Sequence, residues 1–315
     1  MIEVQHLTIK TKEATLVHDV SFRLTQGKVL GLVGESGSGK TMTAMALVDL
    51  LPVGVSWTGS ISHHGEELKT FSKEGLRRLR GEKIAIITQR PMIAFNPVRT
   101  IERHFIETIR AHQSVTKREA KAIAVKYLDK MGLPSLQILS QYPFQLSGGM
   151  LQRIMLAMTL ALEPTFIIAD EPTTALDTTN QLSVLQELKK IVKQTNAGIL
   201  LVSHDLSVIQ YVADEVAVMY KGFIVEQAPL AKLLKSAKHP YTKRLLQAKL
   251  GQANIQEIVH KIVSKESCPY YVACPFAQVS CQSLPELLEV APQHLVRCIQ
   301  VERSEVICPS LKLNM

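Results

Sequence analysis

The 315-residue sequence contains no apolar run that approaches the roughly 18 to 20 residues needed to cross a lipid bilayer. Aromatic residues make up only 5% of the chain, with a single tryptophan, and they are not interleaved with its basic clusters. This scarcity argues against nucleic-acid binding as the main activity, because single-strand-binding surfaces combine positive charge with aromatic stacking. The net charge of +8 is instead consistent with a position close to an anionic membrane surface.

The N-terminus also lacks the shape of a signal peptide, since MIEVQHLTIK alternates between apolar and polar residues as an edge strand does. Charged residues are 20% of the chain and apolar residues 46%, which is typical of a globular protein. We therefore expect a soluble, cytoplasmic protein that attaches to a membrane only through partners.

The segment GESGSGKT (34–41) matches the phosphate-loop pattern G-x-x-x-x-G-K-[ST] in full. The apolar run KVLGLV (28–33) before it predicts a buried strand, and the Ala-, Met- and Leu-rich residues from about Thr41 predict a helix. Glycine loops at helix N-termini aim backbone N–H groups at anions. The pattern places Lys40 at the β- and γ-phosphates and the Thr41 hydroxyl on Mg²⁺. The predicted ATP-binding residues are Gly34, Glu35, Ser36, Gly37, Ser38, Gly39, Lys40, Thr41 and Met42.

A second predicted strand, from Thr165 to Asp170, runs directly into two acidic residues, Asp170 and Glu171. A carboxylate at the mouth of a buried parallel strand is costly unless it faces a cation. Asp170 is therefore predicted to bind Mg²⁺. Glu171 then lies beside the γ-phosphate, where it can act as the base that polarises the attacking water.

With these motifs and LSGGM at 146–150, residues 1 to about 250 resemble the ATP-binding-cassette (ABC) ATPases. LSGGM looks like the signature that separates this family from other phosphate-loop ATPases. Ser147 is a candidate N-cap, and Gly148 and Gly149 expose the backbone of a helix start that can face a phosphate. The resemblance implies that this face binds the γ-phosphate held by a second ATPase subunit, so that one chain carries half of each of two sites.

Three further residues match positions of the family one at a time. Gln89, after KIAIIT (83–88), resembles the Q-loop glutamine, which implies a contact with Mg²⁺ and γ-phosphate. Asp177 in TTALD resembles the D-loop aspartate that crosses the dimer, and His204 in SHD resembles the switch histidine that contacts the γ-phosphate. The resemblance therefore implies a catalytic set of Glu171, His204, Gln89 and Lys40, and an Mg²⁺ set of Thr41, Gln89 and Asp170.

The sequence differs from the family pattern at the residue that stacks on the adenine base. The family usually stacks the base on an aromatic residue near residues 10–18, and TKEATLVHD (11–19) has none. His18 or an aliphatic residue such as Leu16 is left to pack on the base.

The resemblance implies an α/β fold of the P-loop NTPase type, an ABC nucleotide-binding domain with a mixed or parallel sheet. The ATPase domain is predicted over residues 1–250, with a helical subdomain at about 90–163 that is interrupted by prolines. Alternating strands and helices return from 165 to 228. Residues 251–315 are predicted to form a small cysteine-bearing extension.

Two stretches of sequence indicate which subgroup of the ABC family the chain resembles. QRPMIAFNPVRTI (89–101) and HPYTKRLL (239–246) resemble peptide- and nickel-type importer ATPases, and Met150 favours the nickel- or metallophore-type members. The resemblance implies an ATPase whose dimer closes and opens with ATP to power uptake of peptides, nickel or metal–metallophore complexes. Its implied partners are a second, different ATPase subunit, two membrane permeases and an extracytoplasmic substrate-binding protein, with the chain at the cytoplasmic face of the membrane.

The alternative function is a non-transport ABC ATPase that acts on nucleic acid or the ribosome. Such proteins usually carry two cassettes or a long coiled-coil insertion, whereas this chain has one cassette and no heptad run. No nucleic-acid partner is therefore expected.

All five cysteines lie after residue 267, and the first four are separated by five, six and sixteen residues. Clustered thiols in a cytosolic chain suggest metal, because structural disulfides are rare there. The spacing resembles the extension of oligopeptide- and dipeptide-importer ATPases, which implies a [4Fe–4S] cluster. Zinc and a set of reduced, buried cysteines are the alternatives. The implied ligands are Cys268, Cys274, Cys281 and Cys298, with Cys308 as the spare.

Overall fold

Two β-sheets and the helices around them form the molecule, in a computed structural model that describes residues 1–88, 91–173, 178–249 and 267–302. The described strands are β1 (Ile2–Lys10), β2 (Thr15–Leu24), β3 (Val29–Val33), β4 (Ser56–His63), β5 (Glu66–Glu67), β6 (Ile84–Ile87), β7 (Phe166–Asp170), β8 (Gly198–Ser203), β9 (Glu215–Tyr220), β10 (Phe223–Pro229), β11 (Leu288–Ala291) and β12 (His294–Val296).

Helices fill the intervals between the strands. They are α1 (Lys40–Ala46), α2 (Lys73–Arg78), α3 (Pro91–Ala94), α4 (Ile101–His112), α5 (Lys117–Lys130), α6 (Ser135–Leu139), α7 (Gly148–Ala161), α8 (Thr178–Thr195), α9 (Leu206–Val212), α10 (Leu230–Ser236), α11 (Pro240–Lys249) and α12 (Ile299–Glu302). The predicted helical region thus corresponds to α3 through α7. Among the helices that the structure describes, none combines the length and apolar character needed to cross a bilayer.

The larger sheet has the strand order β11-β12-β10-β9-β3-β8-β7-β6, and the smaller, antiparallel sheet has the order β2-β1-β4-β5. Strands β6, β7, β8, β3 and β9 are parallel neighbours, whereas β10, β12 and β11 continue the sheet in antiparallel fashion. The predicted α/β fold with a mixed sheet is confirmed. Because the parallel strands share one carboxyl edge, the loops that follow β3, β7 and β8 open at the same place.

The central strands are buried on both faces, as the apolar runs predicted. All five residues of β3 and all five of β7 are buried, and each strand begins within a residue of its predicted start. Successive side chains point to opposite faces, so Ile167 joins a core with the helices, including Phe105 and Leu128. Ile168 joins a second core that contains Leu47 and the smaller sheet. The loops at the carboxyl edge of the sheet therefore extend from strands that are buried on both faces.

The described part of the extension, residues 267–302, packs on the same body. Strand β12 pairs with β10, with Glu226 opposite Val296. Cys268 and Cys281 are buried in the core that also contains Phe105, and the Cys268 N–H donates to the Cys281 carbonyl at 2.9 Å.

Candidate nucleotide-binding and catalytic site

The phosphate loop leaves the carboxyl end of β3 and enters α1 at Lys40, one residue before the predicted helix start. Gly39 has a φ of +99°, which L-residues with a side chain rarely adopt. A Cβ on Gly34 would lie 2.1 Å from the Met219 carbonyl oxygen, so no side chain fits there. The glycines are therefore required by the shape of the loop, and the shape presents the first N–H groups of α1 to an anion.

Lys40 is held across the mouth of this loop. Its side chain is buried, and its Nζ donates to the carbonyl oxygens of Gly34 and Glu35, each at 2.8 Å. Burial lowers the pKa of Lys40, while the nearby carboxylates Glu171 and Asp170 oppose that shift. The ammonium is thus fixed at the point where the loop would bring phosphate groups, with carboxylates close enough to favour its charge.

Thr41 and Asp170 bring two oxygens together from different elements. The Thr41 hydroxyl donates to Asp170 Oδ1 at 3.3 Å, which joins the first turn of α1 to the end of β7. Burial raises the pKa of Asp170, and its bond to Thr41 opposes the shift. A hydroxyl beside a carboxylate is the oxygen set that Mg²⁺ uses when substrate phosphates supply further ligands. These residues therefore fit Mg²⁺ bound together with a nucleotide.

Glu171 and His204 form the next pair at the carboxyl edge. His204 Nδ1 lies 3.0 Å from Glu171 Oε1, and the Glu171 N–H donates to the Val202 carbonyl at 3.0 Å. The φ of Glu171 is +47°, in the left-handed region that only a minority of non-glycine residues adopt. This turn aims the carboxylate at the phosphate loop instead of along the strand.

The side chains of Lys40, Thr41, Glu171 and His204 line one pocket of about 730 Å³, and Asp170 is bonded to it through Thr41. Leu16 is part of its wall, whereas the His18 ring stacks on Phe223 with centroids 4.3 Å apart. Of the two residues predicted to pack on the base, Leu16 is therefore the one at the pocket. The lining residues are Leu16, Glu35, Ser36, Gly37, Gly39, Lys40, Thr41, Met42, Glu171 and His204. Gln89 lies outside the described residues, as does Asp177.

The LSGGM segment begins α7, as predicted. Ser147 is its N-cap, and its hydroxyl accepts a hydrogen bond from the Met150 N–H at 3.3 Å. Ser147 and Gly148 are exposed, Gly149 is half-buried, and none of the three lines the pocket that contains Lys40. A Cβ on Gly148 would meet nothing within 4 Å, so the chain's own fold does not require glycine there. The bare helix start is accessible to a group from outside the chain.

The extension contains a second, smaller site. Cys268, Cys274, Cys281 and Cys298 all line one cavity, beside His239. Burial raises the pKa of Cys268 to about 11, and the neighbouring thiols add to that shift. Within the described ranges, no three His, Cys, Asp or Glu side chains are grouped as ligands of a single metal ion. Cys308 lies outside the described residues.

Two buried polar side chains near this site, those of Glu226 and Tyr241, make contacts that the sequence does not predict. Glu226 is fully buried and accepts hydrogen bonds from the N–H groups of Lys238 and His239, at 2.7 and 3.0 Å. Its Oε1 also lies 2.7 Å from His294 Nε2. Burial opposes ionisation of Glu226, but these bonds keep its pKa below the usual range. The Tyr241 hydroxyl accepts from the Glu35 N–H at 3.0 Å, a contact between residues 206 positions apart.

Comparison with protein families gives two matches on different parts of the chain. The ABC transporter family matches residues 17–174, and the C-terminal region of oligopeptide/dipeptide transporters matches residues 225–281. The first range contains the phosphate loop, the LSGGM helix and Glu171. The second contains Tyr241 and three of the four cysteines at the cavity.

Individual relatives extend over most of the chain. The probable D,D-dipeptide transport ATP-binding protein of Escherichia coli is 39% identical over 282 residues, which cover 86% of each protein. The metal-staphylopine import system ATP-binding protein of Staphylococcus aureus is 42% identical over 79% of this chain and 93% of its own length. A putative peptide import ATP-binding protein of Brucella abortus is 38% identical over 92% of this chain and 93% of its own length.

Solved structures show the same fold. A bacterial ABC transporter cassette solved as a dimer superimposes with a TM-score of 0.65 at 24% identity, over 73% of this chain and 99% of that one. A dimeric cassette bound to ADP and phosphate gives a TM-score of 0.64 over the same shares.

Proposed function

Because the chain belongs to the ABC transporter family, we propose that it is the ATP-hydrolysing subunit of an importer of peptides or of nickel and metal–metallophore complexes. The observation that carries the proposal is the convergence of Lys40, Thr41 and the Glu171–His204 pair on one pocket, with Asp170 bonded to Thr41 behind it. The proposed cargo rests on relatives whose names refer to D,D-dipeptide transport, peptide import and metal-staphylopine import.

Within the pocket, residues 34–42 bind the triphosphate through loop N–H groups and the Lys40 ammonium. Mg²⁺ supplies positive charge to the phosphates when bound, and Thr41, Asp170 and Gln89 would hold it. Glu171 accepts a proton from the attacking water, and His204 orients the Glu171 carboxylate and contacts the γ-phosphate. Lys40 offsets the charge that develops on the phosphate oxygens.

The site is completed by a second ATPase subunit. The exposed start of α7, with Ser147, Gly148 and Gly149, covers the γ-phosphate of the neighbour's nucleotide. Asp177, which lies outside the described residues, is assigned a D-loop role toward the partner subunit on its sequence alone. ATP joins the two subunits through charge-assisted contacts, and hydrolysis removes those contacts, so the dimer closes and opens once per turnover.

This movement drives two membrane permeases, with a substrate-binding protein on the outer side and the chain at the cytoplasmic face. The partner ATPase is a different chain, so the working unit is a heterodimer. The alternative of a nucleic-acid or ribosome ATPase has no support among the relatives described above, which are transport or import proteins.

We propose that the chain consists of two parts. Residues 1–250 form the ATPase domain, with its helical subdomain at about 90–163, and residues 251–315 form the extension. The extension would hold a [4Fe–4S] cluster on Cys268, Cys274, Cys281 and Cys298. The proposal is supported by the lining of one cavity by all four thiols, since a [4Fe–4S] cluster takes one thiolate on each iron. Zinc on the same cysteines is the alternative.

Reconstitution of the complete complex in lipid vesicles tests the function. We expect ATP hydrolysis that is stimulated by the substrate-binding protein together with one cargo class, and ATP-dependent uptake of that cargo. Dipeptides, nickel and a metal–metallophore complex are compared in parallel. A chain that copurifies with no permease and instead binds nucleic acid in a salt-sensitive manner would refute the proposal.

A further inference from the structure

Tyr241, at the second position of α11, reaches from the C-terminal region into the phosphate loop. Its side chain is fully buried, and its hydroxyl accepts a hydrogen bond from the Glu35 N–H at 3.0 Å. Burial raises the pKa of Tyr241, which keeps the phenol protonated and neutral. The contact therefore operates as a neutral hydrogen bond at any physiological pH.

The Glu35 N–H and the Gly34 carbonyl belong to the same peptide group. Lys40 Nζ donates to that carbonyl oxygen at 2.8 Å, while Tyr241 accepts from the N–H on the opposite edge. The two ends of a trans peptide point in opposite directions, so the group is held from both sides. A peptide bonded at both ends is polarised, and each hydrogen bond strengthens the other. The orientation of Lys40 thus depends on a peptide that Tyr241 fixes.

Tyr241 is itself fixed by aromatic neighbours from two other segments. Its ring lies 4.6 Å from the ring of Tyr220, at the end of β9, and 5.5 Å from that of Tyr270. Tyr220 and Tyr270 meet edge to face at 5.2 Å. Packed aromatic rings of this kind leave little rotamer freedom, so the hydroxyl has a defined position from which to hold the loop.

We propose that Tyr241 is a positioning residue for ATP binding, which fixes the Gly34–Glu35 peptide and through it the Lys40 ammonium. The inference rests on the proposed nucleotide site. Phosphates that approach Lys40 from the pocket side leave both hydrogen bonds of this peptide in place. The loop therefore loses little conformational entropy when it binds them. Loss of the Tyr241 hydroxyl would leave the Glu35 N–H without this acceptor and the loop with more conformations to lose.

The test compares Tyr241→Phe, which keeps the ring, with the unaltered full-length chain and with Tyr220→Phe. The last variant removes a hydroxyl from the same aromatic cluster and leaves the Tyr241–Glu35 bond in place. Equilibrium titration with Mg-ATP should give about three- to tenfold weaker binding for Tyr241→Phe, the value of one neutral hydrogen bond. Tyr220→Phe should bind as the unaltered chain does. Hydrogen exchange at the Glu35 amide should accelerate only in Tyr241→Phe.

Wild-type affinity in Tyr241→Phe, with or without a lower unfolding temperature, would reduce Tyr241 to a structural residue and overturn the inference. If Tyr241→Phe does not fold, hydrogen exchange at the Glu35 amide of the unaltered chain is the deciding measurement. Exchange as fast as that of an exposed loop amide would overturn the inference, because the hydrogen bond to Tyr241 should protect this amide. Failure of the unaltered chain to bind Mg-ATP would contradict the proposed site itself, and is thereby distinguished from failure of the Tyr241 inference.

Discussion

His204 Nδ1 and Glu171 Oε1 lie 3.0 Å apart, although the residues are separated by 33 positions and follow different strands. The pairing is possible because β7 and β8 are parallel neighbours, so their carboxyl ends meet at one edge of the sheet. Both side chains line the pocket that contains Lys40. In the mechanism proposed above, this contact lets the histidine orient the carboxylate toward the nucleotide pocket.

Glu171→Gln should stop hydrolysis while ATP binding is retained. The amide keeps the size of the side chain and can still bond to His204, but it cannot accept a proton from water. Loss of a positioned base typically costs about 10²–10⁴ in rate. We expect the assembled complex to accumulate as a closed, ATP-loaded dimer, measured by turnover and by retention of nucleotide.

Glu215→Gln is the matched control, because Glu215 forms a surface ion pair with Lys28 away from the pocket. It should turn over at the normal rate. Near-normal turnover of Glu171→Gln in the complex would show that another group is the base.

Lys40→Ala should weaken ATP binding and abolish turnover. The ammonium is the charged group that joins the carbonyls of Gly34 and Glu35 at the mouth of the loop. Charged hydrogen bonds contribute about 1.5–3 kcal/mol, which corresponds to roughly 10- to 150-fold in affinity. Calorimetric titration with Mg-ATP measures the change, and Lys28→Ala serves as a control for loss of a lysine. Unchanged affinity in Lys40→Ala would contradict its role.

Much of this site could be predicted because local sequence fixes its chemistry. A glycine loop before a lysine and a threonine has few uses, and Asp170 follows a run of buried apolar residues. The contact of Tyr241 with Glu35 could not be predicted, because no local pattern relates residues 206 positions apart. The pairing of β12 with β10 could not be predicted either, because β12 has only three residues and so shows too little periodicity to be recognised as a strand.

Ser147→Arg should abolish turnover by the complex while this chain still binds ATP. Ser147 is exposed at the start of α7 and does not line the chain's own pocket, so a bulky cation there obstructs only a neighbour's nucleotide. ATPase assays and nucleotide titration separate the two effects. Ser72→Arg is the control, because Ser72 is also an exposed N-cap, of α2. Full activity in a demonstrably monomeric sample would refute the shared site.

The stability of the chain should fall as pH drops from about 6.5 toward 4, in part through His63. The pKa of His63 is lowered to about 4, first by burial and then by the positive charges of His64, the N-terminus and Lys83. The neutral ring packs edge-on against Phe166. Because the unfolded chain binds the proton more readily, stability is complete above the unfolded pKa of about 6.5 and is lost as pH falls through the folded pKa.

The proton linkage of His63 therefore adds a pH-dependent part to the free energy of unfolding. His63→Phe should remove that part of the pH dependence in urea unfolding measured between pH 7 and 4. His6→Gln, at an exposed position where His6 Nδ1 lies 2.7 Å from Asp19 Oδ1, is measured as the comparison variant. An identical pH profile for His63→Phe and the unaltered chain would show that His63 is not the group responsible.

Cys281→Ser should remove iron from the anaerobically purified chain, whereas Cys308→Ser should not. Cys281 is buried at the cavity shared by four thiols, so its loss leaves a cluster with three ligands and an alcohol in place of the fourth. The unaltered protein should be coloured and contain about four irons and four labile sulfides per chain, as the [4Fe–4S] composition requires. Iron and sulfide analysis and a visible spectrum are recorded for all three proteins.

A colourless unaltered chain without iron or labile sulfide would eliminate the cluster, and zinc in its place would favour the alternative. Equal loss of iron in both variants would mean that Cys308 is a ligand, because a spare thiol has no reason to affect the cluster.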